Sequence, residues 1–149
     1  MAVVAVSTSA AVLVAMPASS LASTQFKTGT YTGRTGQNAK LKFLLRHLTG
    51  CTGKTASQVT YCLGETVQAN VNLKCPDGTT SNSYLDIEGS LTANGVLKYT
   101  VSGGESELIN LKVTPAGKIS GYVTIKQPEG DAAKPVCSSG KVVIHAKLT

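Results

Sequence analysis

The chain has no tryptophan, only two phenylalanines and two histidines, and not one Asp, Glu, Lys or Arg before Lys27. Each scarcity excludes something. Without aromatic side chains in series there is no stacking ladder for single-stranded nucleic acid, and none is expected as a partner. His47 and His145 are distant from one another, and the cysteines are widely spaced, so the paired ligands of a zinc site are missing and no metal or other cofactor is expected. No GxSxG nucleophile elbow occurs, which leaves a serine hydrolase without its anchor. The uncharged N-terminal run is rich in Ser and Thr and broken by Pro17, too polar for a span of ~20 strongly apolar residues.

What that run does contain reads as a leader. Ala10 to Met16, AAVLVAM, has the length and composition of a signal-peptide core, and Ser20-Leu21-Ala22 fits a small-x-small cleavage site. The expectation is a signal peptide over 1–22 and a single secreted domain over 23–149. MAVVAVSTS carries no basic side chain, whereas a leader opens on a positive region, so the expected start lies upstream. A mature chain of roughly 125 residues makes one domain with one core and no stable membrane span. The net charge of +6 belongs to the mature part. Outside a cell it points to anionic partners such as cell-wall polymers, lipid head groups or acidic polysaccharide. The competing explanation is that lysines keep β surfaces soluble and protect sheet edges.

Alternation with a period of two dominates the mature chain. Val67, Ala69, Val71, Leu73 and Cys75 share one face, against Gln68, Asn70, Asn72 and Lys74 on the other. The same pattern recurs at Leu41, Phe43 and Leu45; Leu85 and Ile87; Leu97, Tyr99 and Val101; Ile109, Leu111 and Val113; Ile119 to Ile125; and Val142 to Leu148. With an opening strand around Tyr31, these predict about eight strands. The fold expected is all-β, a single antiparallel sandwich or barrel-like domain. PDGT (76–79), TANG (92–95) and PAGK (115–118) carry Gly where a tight reversal needs positive φ, so consecutive strands are expected to pair as hairpins. Between Arg46 and Val67 the period fails. HLTGCTGKTASQVTYCLGET reads as one long connection, and loops of that length are usually functional or disordered.

The four cysteines, Cys51, Cys62, Cys75 and Cys137, form an even set in a chain read as exported, and so predict disulfides. Three connectivities are open. The one favoured joins Cys51 to Cys62, which share the aperiodic stretch, and Cys75 to Cys137, because Cys75 falls on the core face set by Val71 and Leu73.

The opening GTYTGRTG, the KCPDGTT turn, the strand GKISGYVTI and the closing CSSGKVVIHAKL together resemble a group of small exported actinobacterial β proteins of unassigned function. The resemblance implies a secreted β-sandwich with Cys75 paired to Cys137, and it implies no activity. The Cys51 to Cys62 segment departs from the shorter connection of that group, which makes it the candidate for whatever is particular to this chain.

The titratable residues assemble into no catalytic constellation. His145 alternates with Lys141, Val143 and Lys147, an outward-facing pattern. Asp86 and Glu88 share one face two residues apart, about 7 Å between backbones. Glycosidase carboxylates come from different elements across a cleft, so a solvated face is the simpler account. TVSGGESEL (100–108) reads as an acidic turn, since a phosphate loop needs a following helix. No catalytic residue is assigned and no enzyme activity is expected. The expectation is a noncatalytic binding or adhesion domain at the envelope or outside the cell, with Arg46, His47, Lys54 and Tyr61 as contacts around the closed loop. Its partner would be an anionic envelope polymer or polysaccharide, or a secreted protein. Two alternatives are a secreted hydrolase inhibitor using the same loop, and a structural extracellular protein without a ligand.

Overall fold

The computed structural model describes residues 25–55, 57–103, 105–128 and 136–149. The expected leader, cleavage site and start lie outside the described residues. Within them the chain is all-β and antiparallel. The strands are β1 (Gly29–Thr35), β2 (Lys40–Thr49), β3 (Val59–Val67), β4 (Asn70–Lys74), β5 (Thr80–Tyr84) and β6 (Glu88–Ser90). They continue with β7 (Val96–Val101), β8 (Ser106–Thr114), β9 (Lys118–Pro128), β10 (Val136–Ser138) and β11 (Val142–Leu148).

They form one curled sheet, a half-barrel. Its order runs β5-β4-β10-β9-β11-β1-β2-β3-β6, and β8 adds to the other side of β9 and carries β7. Odd-numbered residues of β1, β2, β3, β8 and β9 and even-numbered residues of β11 face inward. Tyr31, Phe43, Leu45, Leu63, Ile109, Leu111 and Ile144 are among the side chains buried there. Burying a Leu or Phe side chain contributes roughly 1.5–3 kcal/mol. Tyr31, fully buried, donates its hydroxyl to the carbonyl of Lys27, which satisfies the polar atom its burial would otherwise strand.

The curl needs close backbone approach at two inward positions. A Cβ on Gly33 would collide with the carbonyl oxygen of His145, and one on Gly121, at φ 154°, with that of Asn110. Glycine at both lets β1 pack against β11 and β9 against β8 while the sheet bends. The two ends of the sheet meet without a ladder. Tyr99 of β7 donates its hydroxyl to the carbonyl of Asp86 (3.1 Å) and accepts from the N–H of Glu88 on β6 (3.2 Å).

Both favoured disulfides are present, Cys51–Cys62 and Cys75–Cys137. Such bridges fit an oxidising environment. Among the described residues no helix is long and apolar enough to cross a membrane.

Several expectations change. Among the described residues eleven strands replace about eight. The long connection is mostly a hairpin: β2 runs on to Thr49 and pairs with β3, leaving a loop only over 50–58. Val67 ends β3 and is 46% exposed, because β3 bulges against Lys42 and Phe43 and its pairing runs out there. Leu85 and Ile87 are fully buried but lie between strands, where the chain leaves β4 and joins β3. Their neighbours there are bonds from Leu85 N–H to Ala69 and from Glu65 N–H to Ile87. The turns at PDGT and PAGK join paired strands. The TANG turn closes, with Gly95 N–H bonded to Thr92, yet the β6 and β7 it joins belong to opposite ends of the sheet.

Candidate functional site

Two surfaces stand out, both on the outside of the curl. The first is built by strand register. Arg34 lies opposite both Lys40 and His145, His145 opposite Ser120, and Ser120 opposite Lys112. One step along, Lys42 lies opposite Thr32, Thr32 opposite Lys147, and Lys147 opposite Lys118. Neighbouring strands are about 4.8 Å apart and same-face residues about 7 Å apart along a strand. Six cations and a histidine therefore occupy two adjacent rows across five strands. All seven are exposed. The outward positions of β1, β2, β8, β9 and β11 include no carboxylate. A shallow depression of about 440 Å³ between β1 and β2 is lined by Thr32, Arg34, Lys40, Lys42 and Val67. Farther along, Lys141 sits over the ring of Tyr122, 4.4 Å from its centre. Along the sequence these cations lie scattered; the fold gathers them.

The second surface lies under the 50–58 loop. Gly50 and Gly53, both at positive φ, turn the chain out of β2, and Lys54 N–H bonds back to Cys51. The Cys51–Cys62 bridge holds the loop on the outer face of β3. From there it reaches β6: Thr52 donates its hydroxyl to a Glu88 carboxylate oxygen (3.2 Å), and Ser90 donates to the Thr52 carbonyl (2.8 Å). Between loop and strands runs a groove of about 320 Å³, bordered by Leu44, Arg46 and Leu48 on one side and Asp86 and Glu88 on the other, with Gly64 between.

The four loop contacts expected from the sequence do not share one surface. Arg46 lines the groove and Lys54 is exposed on the loop. His47 and Tyr61 pair across β2 and β3 on the inner face. Their rings stack 4.6 Å apart, and Tyr61 meets Phe26 edge-on at 5.1 Å, so they close one end of the core.

At the other end of the core, acids gather. Glu65, Glu105 and Glu107 join Asp86 and Glu88, five of the eight acidic residues in the chain. Glu65 accepts from the N–H of Ala69 (3.1 Å) and Glu105 from the hydroxyl of Ser83 (2.6 Å). Burial, reinforced by neighbouring carboxylates, pushes Glu65 and Glu107 up to about 7 each, and burial pushes Tyr99 up to about 12. One oxygen of Glu65 and one of Glu107 are buried with no hydrogen-bond partner. Among the described residues no group of three or more His, Cys, Asp or Glu is placed to hold a metal ion. The molecule is thus electrically two-sided, basic over the outer face of β1, β2, β8, β9 and β11 and acidic around β6 and the ends of β3 and β8. Comparison with protein families, curated proteins and solved structures finds no match.

Proposed function

We propose that this protein is an exported, noncatalytic binding module that holds an anionic polysaccharide of the cell envelope or its surroundings on its cationic outer face. One observation carries the reading: Arg34, Lys40, Lys42, Lys112, Lys118 and Lys147 converge on a single carboxylate-free face from five strands. Solubility alone asks for mixed charge spread over a surface. A one-signed array raises the local concentration of a polyanion and holds it at several points at once. Thr32, Ser120 and Thr114 interleave hydroxyls among the cations, suited to a partner whose charges are flanked by sugar hydroxyls. Thr52 ties the start of the loop to β6 through Glu88 and Ser90, and the cationic face lies on other strands, so the reading rests on that face and not on the loop.

Cosedimentation with insoluble polysaccharides tests this. The oxidised protein is expected to pellet with a carboxylated or sulfated polymer and not with a neutral one, and retention should fall about tenfold or more as salt rises from about 0.05 to 0.5 M. Equal retention on the neutral polymer would sink the reading.

A further inference from the structure

We infer that the groove under the Cys51–Cys62 loop is a second, independent binding site, for a short peptide that ends in a free carboxylate and carries a primary amine on its side chain. The groove's charges are separated across its width. Arg46 lies opposite Cys62 on β3, and Glu88 lies opposite Gly64, two residues farther along the same strand. Two strand spacings and one same-face step put the backbones of Arg46 and Glu88 roughly 12 Å apart. Strand side chains stand roughly perpendicular to their sheet, so guanidinium and carboxylate stay about as far apart as their backbones, a gap that a lysine-sized zwitterion with a hydrogen bond at each end spans. Leu44, opposite Gly64, borders that gap and would lie along the aliphatic stem. A bidentate guanidinium–carboxylate pair fixes one end of such a ligand, and Asp86 with Glu88 takes the ammonium at the other.

The depth of the groove comes from a missing side chain. A Cβ built on Gly64 meets nothing within 4 Å, so the space opened there is not claimed by packing. A volume of about 320 Å³ is at the small end of ligand sites, room for about two residues. The walls are fixed before binding, since the loop is tied by the disulfide to β3 and by two hydrogen bonds to β6, which lowers the ordering cost of recognition.

The test is a titration of the full oxidised protein with the dipeptide Ala-Lys, followed by amide chemical shifts, beside its side-chain-acetylated and C-terminally amidated forms. The free dipeptide is expected to shift the amides of Arg46, Gly64 and Glu88 with a dissociation constant of about 1 mM or tighter. Acetylation or amidation should each weaken it about tenfold or more, because each leaves a charged group of the site unmatched. Gly64→Val fills the floor at a position where an added Cβ meets nothing within 4 Å, and Arg46→Ala removes the anion partner; both should abolish the shifts while leaving polysaccharide binding by the cationic face intact. Three peptide forms binding alike, no shift in the groove at about 10 mM peptide, or undiminished binding by a folded Gly64→Val protein would each overturn the assignment. Loss of polysaccharide binding without loss of these shifts would count against the cationic-face reading and leave this one standing.

Discussion

Replacing Cys75 and Cys137 by alanine should cost about 4 kcal/mol of stability and lower the midpoint of thermal unfolding by roughly 15 °C. The bridge closes a 62-residue separation, and the entropy it removes from the unfolded chain grows with the logarithm of that length. The β4–β5 hairpin makes the loss worse in the folded state. Among the described residues it joins the rest of the sheet through a single ladder pair, Ser138 with Lys74. Besides that, the side-chain amide of Gln37 donates to the carbonyl of Asn72 and accepts from its N–H. Val71 and Leu73, both fully buried, depend on that docking. Urea unfolding of the double variant, with amide exchange at Val71 and Leu73 read in parallel, checks both parts. The Cys51–Cys62 bridge spans only 11 residues and staples strands already paired along β2 and β3, so its removal should cost nearer 3 kcal/mol by the same entropy argument. A Cys75/Cys137 variant within about 1 kcal/mol of the parent would show that the hairpin is held by something else.

Stability should fall as the pH rises from about 5 to 8. Glu65 and Glu107 have ordinary values of 4.5 and folded values of about 7, so between those limits the folded protein holds protons that the unfolded chain has released. Their contribution is fully present below about pH 4.5 and is lost as the pH passes through about 7. Both groups are partly reached by solvent, and they share the field of Asp86, with Glu105 beside Glu107. Discounted for that screening, the two together account for on the order of 2 kcal/mol. Asp77 is shifted the other way by its bonds from Thr79, and its effect falls below about pH 4, outside this window. Glu65→Gln keeps an acceptor for the Ala69 N–H and removes the charge. That variant should be more stable than the parent at pH 8 and should show a flatter profile. Denaturant unfolding at four or five pH values decides it, and a stability that climbs between pH 5 and 8 would contradict the buried-carboxylate account.

The parts of the fold that are legible in the sequence are those where one face is apolar and the other polar. Leu41, Phe43 and Leu45, or Val142, Ile144 and Ala146, announce both strand and orientation. β3 hides because its inward face carries Tyr61, Leu63 and Glu65 while its outward face carries Thr60, Cys62, Gly64 and Thr66. A carboxylate inside and a disulfide outside leave no alternation to read. The same two features build the acidic end of the core and the groove, so the stretch that looked structureless is where two of the chemically distinctive regions lie. The cationic face was hidden for another reason. Each strand supplies only one or two basic residues, and their neighbourhood exists only once β1 pairs with β11, nearly the two ends of the chain. Alternation says which residues point outward; register says which of them meet.

The placement of charge, more than its amount, is the central claim, and one comparison isolates it. Lys42→Glu with Lys147→Glu reverses two charges within one row of the face, on either side of Thr32. Lys54→Glu with Lys74→Glu changes the net charge equally, on the loop and on β4. Each lysine near an anionic surface contributes about 1 kcal/mol under physiological salt, so affinity for the acidic polysaccharide should fall at least about tenfold in the first variant and less than about threefold in the second. Equal losses in the two would mean that net charge alone brings the protein to its polymer, and the face would have no special standing.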